Sequence, residues 1–405
     1  MKILITTDVF PPGGGGSAQS TAALARGLSR RGHNVTALVL KRNVQGELRR
    51  DWEAVQVIEL GVGKSRPGGS QREQRAATFL RKWAPGQRFD VAHAQHWLSA
   101  KATVGASRDI GLPVVVTVRD YWPICVWSTM LSGTERCPGC SYWRRVLCSG
   151  RRQPSLWPIA PLLPPMIGRE LDDRVRTLKR ARGVIAVSRH VKQLLPVDHC
   201  RVIPNLVDLR DIDLRIAGES SKDLPEHYVF FAGKLEPNKA PDQLTPIIHA
   251  AGVRVPLVIA GNGSLEAKLR EEAARSDEEE RFLGWVEPDE VLRLMRRAAA
   301  VLFPSRWDEP LSRVLLEGLA VGAVLIVEPT GGSSEIVVHE ESGLIGRSVE
   351  ELGSALARVL NEKGLSTRLR QGARQRAKEH FSDEVVLPRV EEVYERLAQG
   401  ERLQG

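Results

Sequence analysis

The chain has 405 residues, a formal net charge of +9 and a hydrophobic fraction of 42%, which is enough for two domains that each bury a core. No segment has the roughly 18 uninterrupted apolar residues of a membrane span, and the apolar stretch after Met1 is too short for a signal peptide. We therefore expect a cytoplasmic protein. The basic excess favours anionic partners, namely phosphorylated substrates, nucleic acid or an anionic lipid surface.

Short apolar runs alternate with helical stretches along the whole chain. In the first half, a helix is predicted at 20–31, and strands are predicted at 2–6, 34–40, 55–60, 91–93, 114–118, 183–188 and 201–205. In the second half, strands are predicted at 228–232, 256–260, around 281–283, 300–303 and 323–327. Because strands that alternate with helices form parallel sheets covered on both faces, we expect an α/β protein with two Rossmann-like halves.

Two polar stretches, 208–213 and 219–223, are typical of loops and place the boundary between the halves within 205–227. Asp211 and Asp213 form a D-x-D sequence there, which is the metal signature of a different transferase fold. Their position in a linker argues against a metal site. The final stretch, 385–403, has the spacing of an amphipathic helix.

Two glutamates, Glu309 and Glu317, flank an apolar, helix-forming segment. Pro310 suits the first turn of a helix, where no amide donor is lost. We therefore expect Glu309 just before a helix N-terminus and Glu317 about two turns inside it, on the same face. The free amides of Leu311 and Ser312 would point the same way. This arrangement suits a phosphorylated, hydroxyl-rich ligand such as a nucleotide sugar, although a solvated surface helix would carry the same pair.

Five further stretches accompany the glutamates in a characteristic order. They are Val-Phe-Phe-Ala-Gly-Lys-Leu-Glu-Pro-Asn-Lys at 229–239, Leu-Val-Ile-Ala-Gly-Asn-Gly-Ser at 257–264, Phe-Leu-Gly-Trp-Val at 282–286, Val-Leu-Phe-Pro-Ser at 301–305 and Gly-Gly-Ser-Ser-Glu-Ile-Val at 331–337. The whole pattern resembles the retaining GT-B glycosyltransferases of family 4, less closely in the first half of the chain. The resemblance implies two Rossmann-like domains whose parallel sheets face each other across a cleft.

The same resemblance implies a function and a domain organisation. The expected activity is hexosyl transfer from a nucleoside diphosphate sugar to a cell-envelope glycan or lipid-linked acceptor, with no cofactor needed for catalysis. The expected domains are an acceptor-binding domain at 1–207 with a cysteine-rich insertion at 121–150, a nucleotide-sugar-binding domain at 208–384, and a helix at 385–405 that crosses back to the first domain.

The resemblance assigns the donor site mainly to the second half. Lys234 and Lys239 would lie on the diphosphate, where preplaced cations stabilise the departing charge; the family usually has arginine at the first of these positions. Glu317 would bind the ribose hydroxyls, and Glu309 would bind the transferred sugar. The other expected donor contacts in this half are Gly233, Gly263, Trp285, Val286, Leu311 and Ser312. A Gly-x-Gly such as 261–263 is equally typical of an ordinary strand-to-helix turn.

In the first half, the glycine-rich stretch 11–17 resembles the family's loop between the first strand and a helix. Gly15 and Gly16 would approach phosphate or sugar closely there, although a flexible linker has the same composition. His96 follows a later strand, where it would contact the acceptor or serve a structural role. Both interpretations of His96 stay open.

Arg119 and Asp120 follow the predicted strand at 114–118, where related enzymes often have His-Asp. Arginine cannot act as a base near neutral pH, so Arg119 would bind an acidic sugar or a phosphate, and Asp120 is the candidate base or acceptor contact. Double displacement needs a carboxylate nucleophile, and no residue here is identified as one. The resemblance implies instead that the leaving phosphate takes the proton during front-face attack.

Four cysteines lie within the insertion, and two of them form a C-x2-C pair. They are Cys125, Cys137, Cys140 and Cys148. Four thiolates so close in sequence can close a structural zinc site, but the outer spacings are irregular. An iron–sulfur cluster and free thiols are the alternatives, since disulfides are rare in the cytoplasm.

Arginines flank an apolar, proline-rich stretch at 155–167. The basic residues are Arg144, Arg145, Arg151, Arg152, Arg174, Arg176, Lys179, Arg180 and Arg182. This mixture suits an anionic membrane surface, which would make the protein peripheral on the inner face of the cell membrane; core packing plus a solvated helix is the alternative. The alternative functions are a nucleotide-sugar-binding protein with an inert centre, a zinc-knuckle nucleic-acid-binding protein and a GT-B sugar-nucleotide epimerase. The setting of Glu309 and Glu317 argues against the epimerase. No nucleic-acid motif is present, so nucleic acid is not expected as a partner.

Overall fold

The structure of the protein is a computed structural model that describes residues 1–13, 15–63, 71–132, 135–218, 223–276 and 279–404. The chain divides into two compact units. Unit 1 comprises Met1–Gly133, Cys137–Leu206 and Val386–Gly405, and unit 2 comprises Thr134–Arg136 and Val207–Val385. Among the described residues, none of the helices has the length and apolar character that crossing a bilayer requires.

The strands and helices alternate along most of the chain. The strands are β1 (Lys2–Thr7), β2 (Asn34–Lys41), β3 (Glu47–Trp52), β4 (Val55–Gly61), β5 (Val91–Ala94), β6 (Val114–Val118), β7 (Leu131–Ser132), β8 (Glu135–Arg136), β9 (Gly183–Ala186), β10 (Cys200–Val202), β11 (Val229–Ala232), β12 (Leu257–Ala260), β13 (Glu280–Gly284), β14 (Ala300–Phe303), β15 (Leu325–Val327) and β16 (Leu344–Ile345). The α-helices are α1 (Gly15–Arg30), α2 (Gln71–Gln87), α3 (Trp97–Ile110), α4 (Tyr142–Arg152), α5 (Pro164–Arg180), α6 (Arg189–Leu194), α7 (Leu209–Arg215), α8 (Leu244–Ala251), α9 (Glu266–Ala273), α10 (Pro288–Arg297), α11 (Arg313–Val321), α12 (Ser333–Ile336), α13 (Val349–Asn361), α14 (Leu365–Arg376) and α15 (Asp383–Ala398). Short 3-10 helices occupy Pro154–Leu162, Pro237–Lys239 and Pro241–Gln243, and a π-helical turn occupies Ala377–Phe381.

Unit 1 is built on an eight-stranded sheet in the order β10-β9-β6-β5-β1-β2-β4-β3. All neighbouring strands are parallel except β3 and β4, which form an antiparallel edge. The central strands are almost entirely buried and mostly apolar, as expected for strands covered by helices on both faces.

The end of the chain belongs to the core of unit 1. In α15, Val386, Val390, Val393 and Leu397 recur at helical spacing and join the same buried cluster as β1 and β2. Helix α1 can pack closely against α15 because Gly27 lacks a side chain. A Cβ at Gly27 would lie 2.7 Å from a methyl of Leu387. Unit 1 is therefore assembled from segments at both ends of the sequence.

Unit 2 is built on a six-stranded parallel sheet in the order β13-β12-β11-β14-β15-β16. Alternate residues of its strands pack with α8 and α13 in one buried cluster. The two units thus confirm the predicted α/β class with two parallel-sheet domains.

The structure differs from the sequence predictions in several local features, three of which have a physical reason. Helix α1 begins at Gly15 rather than at residue 20, because the hydroxyls of Ser20 and Thr21 bond back to carbonyls one turn earlier and fit a helix. The stretch 208–213, predicted as a loop, is largely helix α7, capped by Asp208, whose carboxylate accepts the amide of Asp211 at 2.9 Å. Strand β3 was not predicted because it is a polar, exposed edge strand.

Candidate active site

Most of the second-half candidates follow strands of the unit 2 sheet. Gly233, Lys234 and Lys239 follow β11, and the other candidates follow β12, β13 and β14. All of these strands are parallel, so their carboxyl ends lie at one edge, which is where open α/β sheets bind ligands. The structure brings these candidates to a common edge.

A buried ion pair joins two of these candidates. The ammonium of Lys239 contacts the carboxylate of Glu309, and the hydroxyl of Ser305 donates to the same carboxylate oxygen at 3.2 Å. Glu309 is only 4% exposed. The Lys239 nitrogen also lies 5.0 Å from the centre of the Trp307 ring, a cation–π distance. Lys239 and Glu309 were predicted to bind different parts of a ligand, and those roles stay predictions. In the structure the two side chains form an ion pair with each other.

The loops that carry this pair are tied together by backbone contacts. The carbonyl of Asn238 accepts the Trp307 amide and the Ser305 hydroxyl, both at 3.2 Å. Next to Lys239, Ala240 has φ +51°, a left-handed conformation that is uncommon outside glycine. Such strained residues concentrate at functional sites, and this one fixes the turn that presents Lys239.

The Gly331–Gly332 turn supports Glu309 from the other side. The Gly332 amide donates to the Glu309 carbonyl at 2.6 Å. Gly331 has φ +53°, and a Cβ there would lie 2.6 Å from the same carbonyl oxygen, closer than real contacts allow. A glycine is needed here because the turn presses on the backbone that carries the glutamate.

Gly263 also has a structural reason to be glycine. A Cβ at Gly263 would lie 2.3 Å from the carbonyl oxygen of Leu235, and one at Gly261 would lie 1.8 Å from that of Gly233. The loops after β11 and β12 therefore pack directly on each other. The packing accounts for the Gly-x-Gly sequence as a turn, and a ligand contact by Gly263 stays a prediction.

The helix that follows Glu309 starts later than expected. Helix α11 begins at Arg313, with Ser312 as its N-cap, whose hydroxyl accepts the Leu315 amide at 3.5 Å. Glu317 is therefore about one turn inside the helix rather than two, and Pro310 lies ahead of its first turn. Glu317 accepts a hydrogen bond from Arg313 at 2.8 Å, so this carboxylate is already held in position. Within the described part of the chain, the Leu311 and Ser312 amides donate no backbone hydrogen bond.

The rim of this edge is open to solvent. Lys234 is exposed, Trp285 is 68% exposed and Val286 is half-buried. Glu236 was missed by the sequence analysis; its carboxylate accepts the Ser264 amide at 3.0 Å and the Ser264 hydroxyl at 2.6 Å. These hydrogen bonds, more than the charge of Lys234, lower the pKa of Glu236. The rim thus offers an exposed cation and an exposed aromatic ring.

In unit 1, Asp8 follows β1 and was also missed by the sequence analysis. Its two carboxylate oxygens accept the amides of Leu98 and Ser99 at 3.2 Å and 2.9 Å, which caps the N-terminus of α3. Burial outweighs these hydrogen bonds and raises the pKa of Asp8 to about 6. The sequence could have indicated Asp8 as a candidate, because it is a carboxylate that directly follows the first strand and precedes the glycine-rich stretch.

His96 is surrounded by partners from its own unit. Its Nδ1 lies 3.0 Å from the Thr7 hydroxyl, and its Nε2 is hydrogen-bonded to the Ser17 hydroxyl. Burial, with a smaller contribution from the charge of Arg119, lowers the pKa of His96 to about 3, so the ring is neutral at physiological pH. His96 connects β1 to helix α1, whose first residues, Gly15 and Gly16, are exposed. This bonding favours the structural interpretation of His96.

Arg119 and Asp120 lie at the end of β6, beside the buried end of β5. Arg119 donates to the side-chain oxygen of Gln95, which is fully buried. Asp120 accepts the Trp122 amide at 2.7 Å. Burial raises the pKa of Asp120 to about 6, and the negative charge of Asp8 adds to this shift. A carboxyl that titrates near neutral pH suits a base or acceptor contact, which stays a prediction for Asp120.

We expect His93 to make the stability of the protein sensitive to acid. Its ring bonds Tyr394 and Thr117, both at 2.6 Å, and burial lowers its pKa to about 3 from 6.5. The unfolded chain therefore binds a proton that the folded chain excludes, so this stabilisation is present above pH 6.5 and is lost as the pH falls toward 3. Between about pH 7.5 and about pH 5, His93→Gln should lose about 2 kcal/mol less of its unfolding free energy than the wild type.

Urea unfolding at the two pH values measures this difference. Asp8 and Asp120, whose raised pKa values act in the opposite direction, are present in both proteins and cancel in the comparison. Equal losses of stability in the two proteins would contradict the assignment of a neutral His93.

The acidic and sulfur-containing candidates do not form a metal centre in the structure. All five cysteines are free, and the described residues contain no group of three or more His, Cys, Asp or Glu side chains that could hold a metal ion. The zinc site in the insertion stays a prediction. Asp213 is paired with Arg374 at 2.6 Å and Asp211 with Arg215 at 3.5 Å, so arginines already neutralise the D-x-D carboxylates.

Two family descriptions match the chain. "Glycosyltransferase Family 4" matches residues 14–211, and "Glycosyl transferases group 1" matches residues 213–376. Together they leave out only the two ends of the chain and residue 212. The boundary between the matches lies in α7, near the division between the two units.

Similar proteins and structures agree with these matches. The glycogen synthase of Mycobacterium tuberculosis is 33% identical over 150 residues, which is 36% of this chain and 36% of that protein; the match thus spans about a third of that relative's length. The structure of sucrose-phosphate synthase from Thermosynechococcus elongatus covers 99% of this chain and 100% of its own, with a TM-score of 0.74 and 17% identity. The structure of Anabaena HepE in complex with UDP covers 98% and 100%, with a TM-score of 0.64 and 17% identity. Identities this low show a shared fold.

Proposed function

Since the chain belongs to the group 1 glycosyltransferases of family 4, with the GT-B fold, we propose that it transfers a hexosyl group from a nucleoside diphosphate sugar, with retention of anomeric configuration. The acceptor in this proposal is a cell-envelope glycan or a lipid-linked sugar, which the enzyme meets as a cytoplasmic protein at the inner face of the membrane. Neither the donor nor the acceptor follows from the family alone, because pocket shape decides both.

The buried Lys239–Glu309 pair is the observation that carries the proposal. It places a cation and a hydrogen-bond-accepting carboxylate side by side, at the sheet edge where such folds bind ligands. A sugar diphosphate presents the complementary groups, since its phosphates need cations and its hydroxyls need acceptors.

Each residue at this edge receives a role in the proposal. Lys239 and Lys234 bind the diphosphate and stabilise the negative charge that builds on the departing nucleotide. Glu309 accepts hydrogen bonds from the transferred sugar, and Glu317, held by Arg313, accepts them from the ribose. The acceptor oxygen bonds to the anomeric carbon on the face from which the diphosphate departs, and the leaving phosphate takes the acceptor's proton, so retention needs no carboxylate nucleophile.

The donor panel identifies the base, with uracil as the first candidate. Crystals of HepE hold UDP in one structure and UDP-glucose in another. Trp285 is exposed after β13, where its ring could stack on a base, while Val286 would offer its backbone. Both contacts tolerate several bases, so a panel of donors is required.

The test is release of nucleoside diphosphate from UDP-, GDP-, ADP- and TDP-sugars, with and without a lipid extract. We expect one donor to be turned over and the extract to increase its rate. Glu317→Gln should raise KM about tenfold by weakening a charge-assisted hydrogen bond. Glu272→Gln, at an exposed glutamate of α9 paired with Lys268, is the matched control and should leave KM unchanged.

The other outcomes separate the competing functions. Binding of one donor without turnover under any condition would favour a nucleotide-sugar-binding protein with an inert centre. If no donor binds, or if binding does not depend on Glu317, the proposed site is wrong.

A further inference from the structure

Most of the large hydrophobic side chains that the structure leaves exposed lie in one segment of unit 1. We call residues 142–169 the docking segment; it comprises α4, the 3-10 helix Pro154–Leu162 and the first turns of α5. Its exposed apolar side chains are Tyr142, Trp143, Leu147, Trp157, Ile159, Leu162 and Met166. Trp143 is 71% exposed and Leu162 is 72% exposed, values unusual for such large side chains in a folded domain.

Two of the exposed apolar side chains of α4 share one face of the helix. Trp143 and Leu147 are four residues apart and point the same way, with Arg144 and Arg151 beside them. The adjoining side of the helix, formed by Val146, Ser149 and Gly150, is buried. The helix is therefore anchored by a small face and presents its large apolar and basic side chains outward.

The docking segment is held in a defined conformation. The Tyr142 hydroxyl donates to the Pro161 carbonyl at 2.8 Å, and Arg145 donates to the carbonyls of Cys140 and Pro164, both at 3.1 Å. Gly150 leaves room for the Trp157 ring, which would lie 2.5 Å from a Cβ at that position. The exposed apolar side chains of the docking segment thus project from a backbone that is held by hydrogen bonds and close packing.

The charge of the docking segment has a single sign. The sequence has no aspartate or glutamate between Arg136 and Glu170. Arg144, Arg151 and Arg169 are exposed, and no ion pair within the described part of the chain involves them. Elsewhere on the surface arginines have acidic partners, such as Arg26 with Glu53 at 2.6 Å. A positive surface beside exposed apolar side chains is complementary to a surface that is both anionic and apolar.

We propose that the docking segment binds the surface of an anionic lipid bilayer. The tryptophans and Tyr142 enter the headgroup region, Leu147, Ile159, Leu162 and Met166 reach the upper acyl chains, and the arginines pair with lipid phosphates. A bilayer accepts this irregular apolar surface without a matching shape, which a folded protein partner would have to supply. The proposal goes beyond sugar transfer and does not depend on it.

The test is sedimentation of the full chain with vesicles, without donor or acceptor. Vesicles of phosphatidylcholine alone are compared with vesicles that contain about 30% phosphatidylglycerol. We expect the wild type to bind the anionic vesicles and to be released by salt. Arg144→Gln/Arg151→Gln should weaken binding about thirtyfold, and Trp143→Ser/Leu162→Ser should weaken it at least tenfold.

Matched variants at other exposed positions control for charge and apolar area. Arg254→Gln/Arg347→Gln removes the same charge from unit 2, and Leu48→Ser/Leu214→Ser removes exposed leucines elsewhere; both should bind like the wild type. Equal loss in the control and test variants, or equal binding to neutral and anionic vesicles, would overturn the proposal. So would a self-association, measured by light scattering, that the Trp143→Ser/Leu162→Ser variant abolishes.

Discussion

Replacing Lys239 by alanine should lower kcat/KM for release of nucleoside diphosphate by a factor of about 10²–10³. The loss is that expected for one preorganised group that stabilises transition-state charge. It should appear mainly in kcat, because the charge on the departing diphosphate develops as the sugar bond breaks. Initial rates over a range of donor concentrations measure the two constants. Lys268→Ala, at an exposed lysine paired with Glu272, should leave both unchanged.

The same substitution should also destabilise unit 2, because it leaves Glu309 buried without its cation. Removing one partner of a fully buried pair costs about 3–5 kcal/mol, and the Lys239 side chain is 20% exposed, so we expect about 2 kcal/mol. A double variant, Lys239→Met/Glu309→Gln, should recover most of the stability and none of the activity. Recovery of both would show that Lys239 acts only by holding the fold.

Replacing Gly331 by alanine should cost about 3 kcal/mol of unfolding free energy and at least a factor of 10² in kcat. The new methyl group would lie 2.6 Å from the Glu309 carbonyl and 2.7 Å from the Asp308 carbonyl carbon. Both atoms belong to the backbone, which cannot move aside as a side chain can, and a misplaced catalytic group loses rate steeply. Thermal unfolding and initial rates measure the two effects.

Gly252→Ala is the control for this prediction. Gly252 has φ +63°, close to the +53° of Gly331, and a Cβ at Gly252 would meet nothing within 4 Å. It should lose only about 1 kcal/mol, which is the cost of a left-handed alanine, with kcat unchanged. Equal changes in kcat and in unfolding free energy for the two variants would show that the close contact between Gly331 and the Glu309 backbone does not matter for activity.

The sheet of unit 2 could be predicted from sequence because its strands are short apolar runs between turn residues. The runs at 229–232 and 300–303 are buried on both faces, so they carry no polar residue that would obscure them. Strand β3 could not be predicted in this way, because it lies at the edge of its sheet and is mostly polar. Helix α7 was missed because only Ile212 of its seven residues is buried, and a cap with ion pairs supplies the rest.

The candidate site was only partly visible in the sequence. The positions of Lys239 and Glu309 after their strands follow from chain order, but the bond between them spans 70 residues and depends on the packing of two loops. Asp8 was overlooked because its partners, the amides of α3, lie about 90 residues away. The late start of α11 depends on the Ser312 cap, which competes with Pro310 for the helix terminus and cannot be resolved by propensity alone.

The position of α15 has a consequence for synthesis of the chain. Residues from Val386 onward fill the core of unit 1, where Tyr394 bonds the buried His93. A ribosome therefore releases nearly all of unit 2 before the last helix of unit 1 exists. Until α15 is synthesised, the apolar surface around Leu24 and Leu28 in the earlier part of unit 1 stays exposed. Exposed apolar surface of this kind favours aggregation. We therefore expect chaperones to bind mainly unit 1 during translation, because its synthesis begins first and its last helix is synthesised last.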